Sequence, residues 1–154
     1  MMSGVQNVTI RTALGSEYDR ARAAYETWGY PGSILPTDVV FVAERGDDLL
    51  GIVRRSVEHE TVMLRGMQVD PAVRRRGIGT LLLRAFAADL DDRECFCVPF
   101  AHLVKFYGQV GFVPHDIERG PVFLGQRIER YRREGYEVLL MYRRAHPSDL
   151  DHPA

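Results

Sequence analysis

A mixed β-sheet with helices on its faces, an α/β (α+β mixed sheet) class, is the fold that this sequence predicts, on three observations. Apolar segments at 39–43 and 49–57 flank Arg45-Gly46-Asp47-Asp48, a credible hairpin turn that makes them antiparallel strands. A third segment, 61–69, runs into a glycine-containing turn and an amphipathic helix, then a further strand, a strand-helix-strand unit. The length, 154 residues, suits one domain with a substantial core.

Each element has its own warrant. Residues 5–14 alternate enough for a first strand. Ser16-Glu17-Tyr18-Asp19 resembles a helix N-cap with acidic first-turn residues, and Tyr18, Ala21, Tyr25 and Trp28 recur at helical spacing up to a stop at Gly29. Proline and glycine make 30–36 a loop before the hairpin. Beyond 61–69, Ile78, Leu82, Ala85 and Phe86 give the next helix a buried stripe, with Arg84 and Asp89 outside it. Residues 94–98 read as a short buried strand ended by Pro99. A short helix at 102–110 places Leu103, Tyr107 and Val110 on one face, and Gly111 caps it before an extended piece from Phe112. Leu124, Ile128 and Tyr131 predict a helix over 122–134 ended by Gly135, and 136–142 is a final strand. One domain is expected over 1–145, with 146–154 a flexible C-terminal tail.

Composition narrows the function. A net charge of −1 argues against a broad nucleic-acid surface. The longest uncharged apolar-rich run, 95–104, is too short to span a bilayer, and no basic then apolar leader opens the sequence, so no membrane or export role is expected. Cys95 and Cys97 share one face of a strand; a disulfide so close in sequence is disfavoured, and two ligands are too few for a metal. They read as reduced thiols of a cytoplasmic protein without a metal site.

The chemistry concentrates in residues 67–83. The strand ends at Val69, Asp70-Pro71 turns the chain, Arg74-Arg75-Arg76 follows, and Gly77-Ile78-Gly79-Thr80 opens the helix. A helix N-terminus presents free amides and the positive end of the peptide dipole, and glycine allows a ligand close to the backbone. Arginines add charge-assisted hydrogen bonds. The segment reads as a phosphate cradle, although by spacing alone Arg74–Arg76 also fits a solvated basic turn. It lacks the third glycine of a dinucleotide fingerprint, where Leu82 stands, and the lysine of a Walker loop before Thr80.

Arg74-x-x-Gly77-x-Gly79 after Val69-Asp70-Pro71 resembles the acyl-CoA-binding signature of the GNAT acetyltransferase superfamily. Tyr107-x-x-x-Gly111-Phe112 resembles that family's second helix end, and the separation of the two motifs fits it as well. The resemblance implies a GNAT-like fold in which the parallel strands 61–69 and 94–98 splay apart. It implies a cradle in which Arg74, Arg75, Arg76, Gly77, Ile78, Gly79 and Thr80 hold the acetyl-CoA phosphates. Met67, Gln68 and Val69 would lie along the pantetheine, with Arg65-Gly66 at a bulge position. The family's asparagine and alanine before the tyrosine are replaced by Phe100 and Leu103.

The implied reaction is acetyl transfer from acetyl-CoA to a primary amine by direct attack. Tyr107 is the candidate general acid, since a phenol is protonated at neutral pH, although a tyrosine on this stripe also reads as core. His102 is a candidate base or relay, or simply a helix-start histidine, and Glu58, His59 and Glu60 read as a polar turn. Met63 stands where some relatives carry a glutamate. Trp28 and Tyr30 are candidate acceptor-binding residues, Trp28 also fitting a core role, and Glu26 and Asp38 could attract an amine. Residues 120–127 read as an insertion that closes the cleft or forms a homodimer contact. The expected partner is a small-molecule or peptide amine. A non-catalytic acyl-CoA sensor or structural subunit is the alternative.

Overall fold

The structure is a computed structural model, and it describes residues 6–144. The expected tail at 146–154 lies outside the described residues. Seven strands form one mixed sheet in the order β1-β2-β3-β4-β5-β7-β6. They are β1 (Thr9–Thr12), β2 (Val39–Arg45), β3 (Asp48–Glu58), β4 (Thr61–Val69), β5 (Cys95–Cys97), β6 (Val113–Pro114) and β7 (Met141–Arg143). The helices are α1 (Tyr18–Thr27), α2 (Ile78–Leu90), α3 (Val104–Gly108) and α4 (Val122–Arg133). The described residues divide into two compact units, one of residues 6–57 and 64–89, the other of 58–63 and 90–144.

In the first unit, β1 and β2 pair antiparallel, as do β2 and β3 across the turn at Gly46-Asp47. Alternation along β2 and β3 sends Val40, Val42 and Ile52 to one face, where they pack with Ala21, Tyr25 and Ile34. The stripe read on the first helix is real: Ala21 and Tyr25 are buried, and Tyr18 and Trp28 flank them. Gly29 stops the helix in the left-handed region, φ +76°. Phe41, on the alternate face, meets Phe86 of α2 with ring centroids 5.7 Å apart.

Ser16 is not the cap that the sequence suggests. The chain makes a 3-10 turn at Gly15–Glu17, and the Glu17 carboxylate accepts from Leu14 N–H at 2.8 Å. Glu17 also pairs with Arg11 at 2.5 Å, and Arg11 and Arg20 both reach Glu44, at 2.7 and 2.6 Å. These bonds hold the Glu17 carboxyl down at about 2, and Arg11 followed by Arg20 lowers Glu44.

In the second unit, β4 and β5 are parallel and register Met63 against Phe96, the single position paired among the described residues. Strand β5 pairs antiparallel with β7, and β7 with β6. Met63, Phe96, Leu124, Ile128, Val138 and Leu140 form the core. The final strand is shorter than the 136–142 expected. Leu139 N–H donates to Pro99 O and Ala101 N–H to Glu137 O, the two bonds of an isolated bridge at Phe100↔Val138, while the Arg132 guanidinium donates to Val138 O and the strand itself is Met141–Arg143. Residues 120–127 form the first turns of α4 and the approach to them. Both cysteines are buried thiols, and burial pushes the Cys97 thiol up.

Candidate active site

The cradle is built by one continuous stretch of the first unit. Gly66 interrupts β4 with φ +65°, a backbone state that a side chain would strain. The Tyr25 hydroxyl donates to Gly66 O at 2.7 Å, and a Cβ on residue 66 would lie 2.3 Å from that hydroxyl. Burial pushes the Tyr25 phenol up, so it stays a protonated donor. The glycine expected at a bulge is therefore fixed from α1.

Beyond Val69, Asp70 N–H donates to Leu50 O at 2.8 Å, which keeps the strand end on β3. The Asp70 carboxylate then accepts from Ala72 N–H at 3.0 Å and turns the chain through a 3-10 turn at Pro71–Val73. Arg74 folds back, its Nε donating to Val69 O at 3.3 Å. Arg75 and Gly77 both have positive φ, +66° and +86°. For arginine this is an uncommon, strained state, of the sort concentrated at ligand-holding loops. Leu81 N–H makes the first helical bond, to Gly77 O at 3.1 Å. The amides of Ile78, Gly79 and Thr80 therefore sit in the first turn, where a helix leaves its donors without internal acceptors. Arg75 and Arg76 are exposed beside them.

Sheet contacts set the position of this helix start. Ile78, Leu82, Leu83 and Phe86 are fully buried. On β3, Gly51 admits them: a Cβ there would meet Leu82 Cδ1 at 2.8 Å, Gln68 O at 3.3 Å and Ile78 Cγ2 at 3.4 Å. The cradle thus owes its place to a glycine that sequence reading did not single out.

The other predicted catalytic residues belong to the second unit. Tyr107 of α3 is 5% exposed, with Phe106 and Phe112 edge-on to its ring at 4.9 and 6.2 Å. His102 lies in a 3-10 turn, Ala101–Leu103, that precedes α3; it is exposed and stacked on Phe100 at 5.9 Å. Met63 is buried in the core. The polar turn after β3 is a hairpin tip with His59 and Glu60 at φ +49° and +64°. Glu58 takes both Arg127 nitrogens at 2.9–3.0 Å, and the His59 ring meets Phe123 at 4.6 Å. Among the described residues no group of three or more His, Cys, Asp or Glu could hold a metal, and no helix is long and apolar enough to cross a membrane.

Of the acceptor candidates, Trp28 is half-buried against the α1 core, and Tyr30 packs on Tyr25 with centroids 4.7 Å apart. Glu26 is exposed. Asp38 is buried and paired with Arg54 at 2.8 Å, both side chains 3% exposed or less. Sequence reading missed Arg54 and its neighbour Ser56. The signal was available in the alternation of β3: after Ile52, positions 54 and 56 face inward yet carry polar side chains.

A family model described as an acetyltransferase (GNAT) domain matches residues 36–114, just over half of the chain. No curated protein sequence matches. Among solved structures, the chain is similar to Neisseria gonorrhoeae N-acetylglutamate synthase complexed with coenzyme A and N-acetyl-glutamate. Identity is 18% and the TM-score 0.65, over 90% of this chain and 35% of that one. This chain thus spans about a third of that enzyme's length. It is also similar to the Mycobacterium tuberculosis protein Rv2747 in complex with CoA and NLQ, at 18% identity and TM-score 0.62, over 90% and 99% of the two chains. The Escherichia coli ribosomal-protein-S18-alanine N-acetyltransferase follows at 14% and 0.61, over 88% and 92%. At these identities the likeness is one of fold.

Proposed function

The chain belongs to the GNAT acetyltransferase family, and from that premise we propose that it transfers an acetyl group from acetyl-CoA to a primary amine. The observation that carries this reading is the strained cradle: Arg75 and Gly77 at positive φ in front of the first-turn amides of α2. Amides of residues 75–80 bind the diphosphate, and Arg75 and Arg76 supply charge to the phosphates around it. Arg74 braces Val69 O in the chain as it stands and moves to a phosphate when the co-substrate binds. The pantetheine lies along Met67, Gln68 and Val69, beyond the bulge at Gly66.

The amine must be neutral to attack the thioester carbonyl. The amine nitrogen forms the C–N bond and gives up a proton to solvent, the C–S bond breaks, and the sulfur leaves as a thiolate that takes a proton. Tyr107 is the acid in this reading, its ring fixed by Phe106 and Phe112. His102 is a relay from solvent, and Trp28 and Tyr30 line the acceptor's path. That solved neighbours are described with coenzyme A, with N-acetyl-glutamate, or as acting on a ribosomal-protein alanine supports an amine acceptor of this kind.

The test couples two measurements: acetyl-CoA binding by calorimetry, and CoA release against a panel of amines. Binding with release on at least one amine is expected. Binding without release on any amine identifies a non-catalytic acyl-CoA sensor instead. Tyr107→Phe should lower kcat by about 100-fold with acetyl-CoA affinity unchanged, the size of effect general acids supply; unchanged kcat removes Tyr107 from the mechanism.

A further inference from the structure

Beneath α1, outside the cradle, three buried side-chain atoms of the first unit have no hydrogen-bond partner: Asp38 Oδ1, Arg54 Nε and Ser56 Oγ. They form one cluster. Strand register sets Val40 opposite Arg54 and Val39 opposite Arg55, so Asp38, one residue before β2, faces Ser56. Directly opposed residues have Cβ atoms about 5 Å apart, and Arg54 lies two residues along the same face. The residues are 3%, 2% and 3% exposed. An unpaired buried polar atom costs about 1–3 kcal/mol, more when charged, so native chains leave few of them. Three in one place make the cluster a candidate for a partner from outside the chain.

The geometry fixes which edges await that partner. Arg54 Nη1 donates to Ser33 O at 2.6 Å and to Asp38 Oδ2 at 2.8 Å, and Asp38 Oδ2 also accepts from Leu35 N–H at 3.0 Å. One edge of the ion pair is thus committed to the segment 30–37, which seals the cluster. Nε borders Gly66 of β4 beside the Tyr25 hydroxyl: a Cβ on Gly66 would stand 2.9 Å from the one and 2.3 Å from the other. Gly66 immediately precedes Met67.

Arg54 and Asp38 cancel in charge, so the cluster selects neither a lone anion nor a lone cation. It offers a donor at Nε, a hydroxyl at Ser56 and an acceptor at Oδ1. A group that satisfies all three carries an acceptor and a donor side by side. We propose that Asp38, Arg54 and Ser56 bind the head group of an α-amino acid acceptor, its carboxylate accepting from Arg54 Nε–H and Ser56 Oγ–H and its amine donating to Asp38 Oδ1. The acceptor reaches the cluster by displacing segment 30–37, whose bonds to the ion pair at Ser33 O and Leu35 N–H then yield. This assignment rests on the acyltransferase reading and gives it a substrate class.

Calorimetry on the full chain tests it, titrating L-amino acids, their carboxamides and their decarboxylated amines with and without saturating CoA. At least one amino acid should bind, its decarboxylated amine at least 100-fold more weakly. Ser56→Ala should weaken that amino acid at least tenfold while Tm stays level or rises, because the hydroxyl is unsatisfied in the unliganded chain; a purely structural serine would do neither. Arg54→Lys, which keeps the charge but lacks Nε–H, should weaken it likewise. Equal binding of the amine, stronger binding of the carboxamide, unaltered binding by Ser56→Ala, or no amino-acid heat at all overturns the proposal. Absence of CoA heat counts against the acyltransferase reading instead, and the titrations without CoA still decide the head-group site.

Discussion

The cradle at 66–80 and the Asp38–Arg54–Ser56 cluster lie in the same compact unit, yet they are built in opposite ways. The cradle is local and made largely of backbone: a strand end, an aspartate-held turn, three positive-φ residues and a helix start, with exposed arginines around it. The cluster is non-local and made of side chains, from residues either side of the β2–β3 hairpin, and is sealed from solvent. A backbone site exposes donors that water satisfies until a ligand arrives, so it costs the unliganded fold little beyond local strain. A sealed side-chain site weighs on the fold throughout. Changes in the first should therefore read out as binding, and changes in the second as stability too.

Asp38→Ala should have the largest effect. It leaves the Arg54 guanidinium buried without its counter-charge, which costs about 3–5 kcal/mol, measured by urea unfolding. A loss under about 1 kcal/mol would mean that the pair is not buried as described. Gly79→Trp should cut acetyl-CoA affinity at least 100-fold, about 2.7 kcal/mol, with the urea midpoint almost unmoved; tight binding by that variant would defeat the cradle. Gly51→Ala tests the link between sheet and cradle. Its Cβ drives Leu82 and Ile78 off β3, costing about 1–3 kcal/mol by overpacking, and the tilt of the helix start should weaken CoA binding as well. Stability lost with CoA affinity intact would show that helix placement is not what aims the amides.

A smaller effect separates both regions from the rest of the unit. Glu17, held at about 2, and Glu44 have folded pKa values below the ordinary 4.5. Their stabilisation is complete above about pH 4.5 and is lost as pH falls toward 2. Arg11→Met should flatten this acid limb in a pH series of unfolding midpoints while acetyl-CoA binding at neutral pH stays as it was. A limb of unchanged slope would assign it to other carboxylates.

What was legible in the sequence follows the same division. Ala21 and Tyr25 announced α1 by spacing, and Asp70, Pro71 and Gly77 announced the turn into α2, because helix periodicity and turn chemistry act over a few residues. Ser16 misled because Glu17 reaches back to Leu14 N–H and takes over the capping, a choice between neighbours that only three-dimensional pairing with Arg11 settles. The last strand was overread because its apolar pattern does not encode that the Arg132 guanidinium would take Val138 O and leave a single bridge there. Gly51 and Arg54 passed unnoticed for one reason: a glycine's role and a buried arginine's partner depend on what packs against them from distant sequence.

The central claim is that backbone amides at the start of α2 grip the diphosphate of acetyl-CoA. Backbone amide spectra recorded through a titration with CoA test it most directly. The amides of residues 75–80 should show the largest saturable shifts in the chain, with the same apparent Kd as calorimetry. Saturable binding that leaves those amides unmoved and shifts others would contradict it.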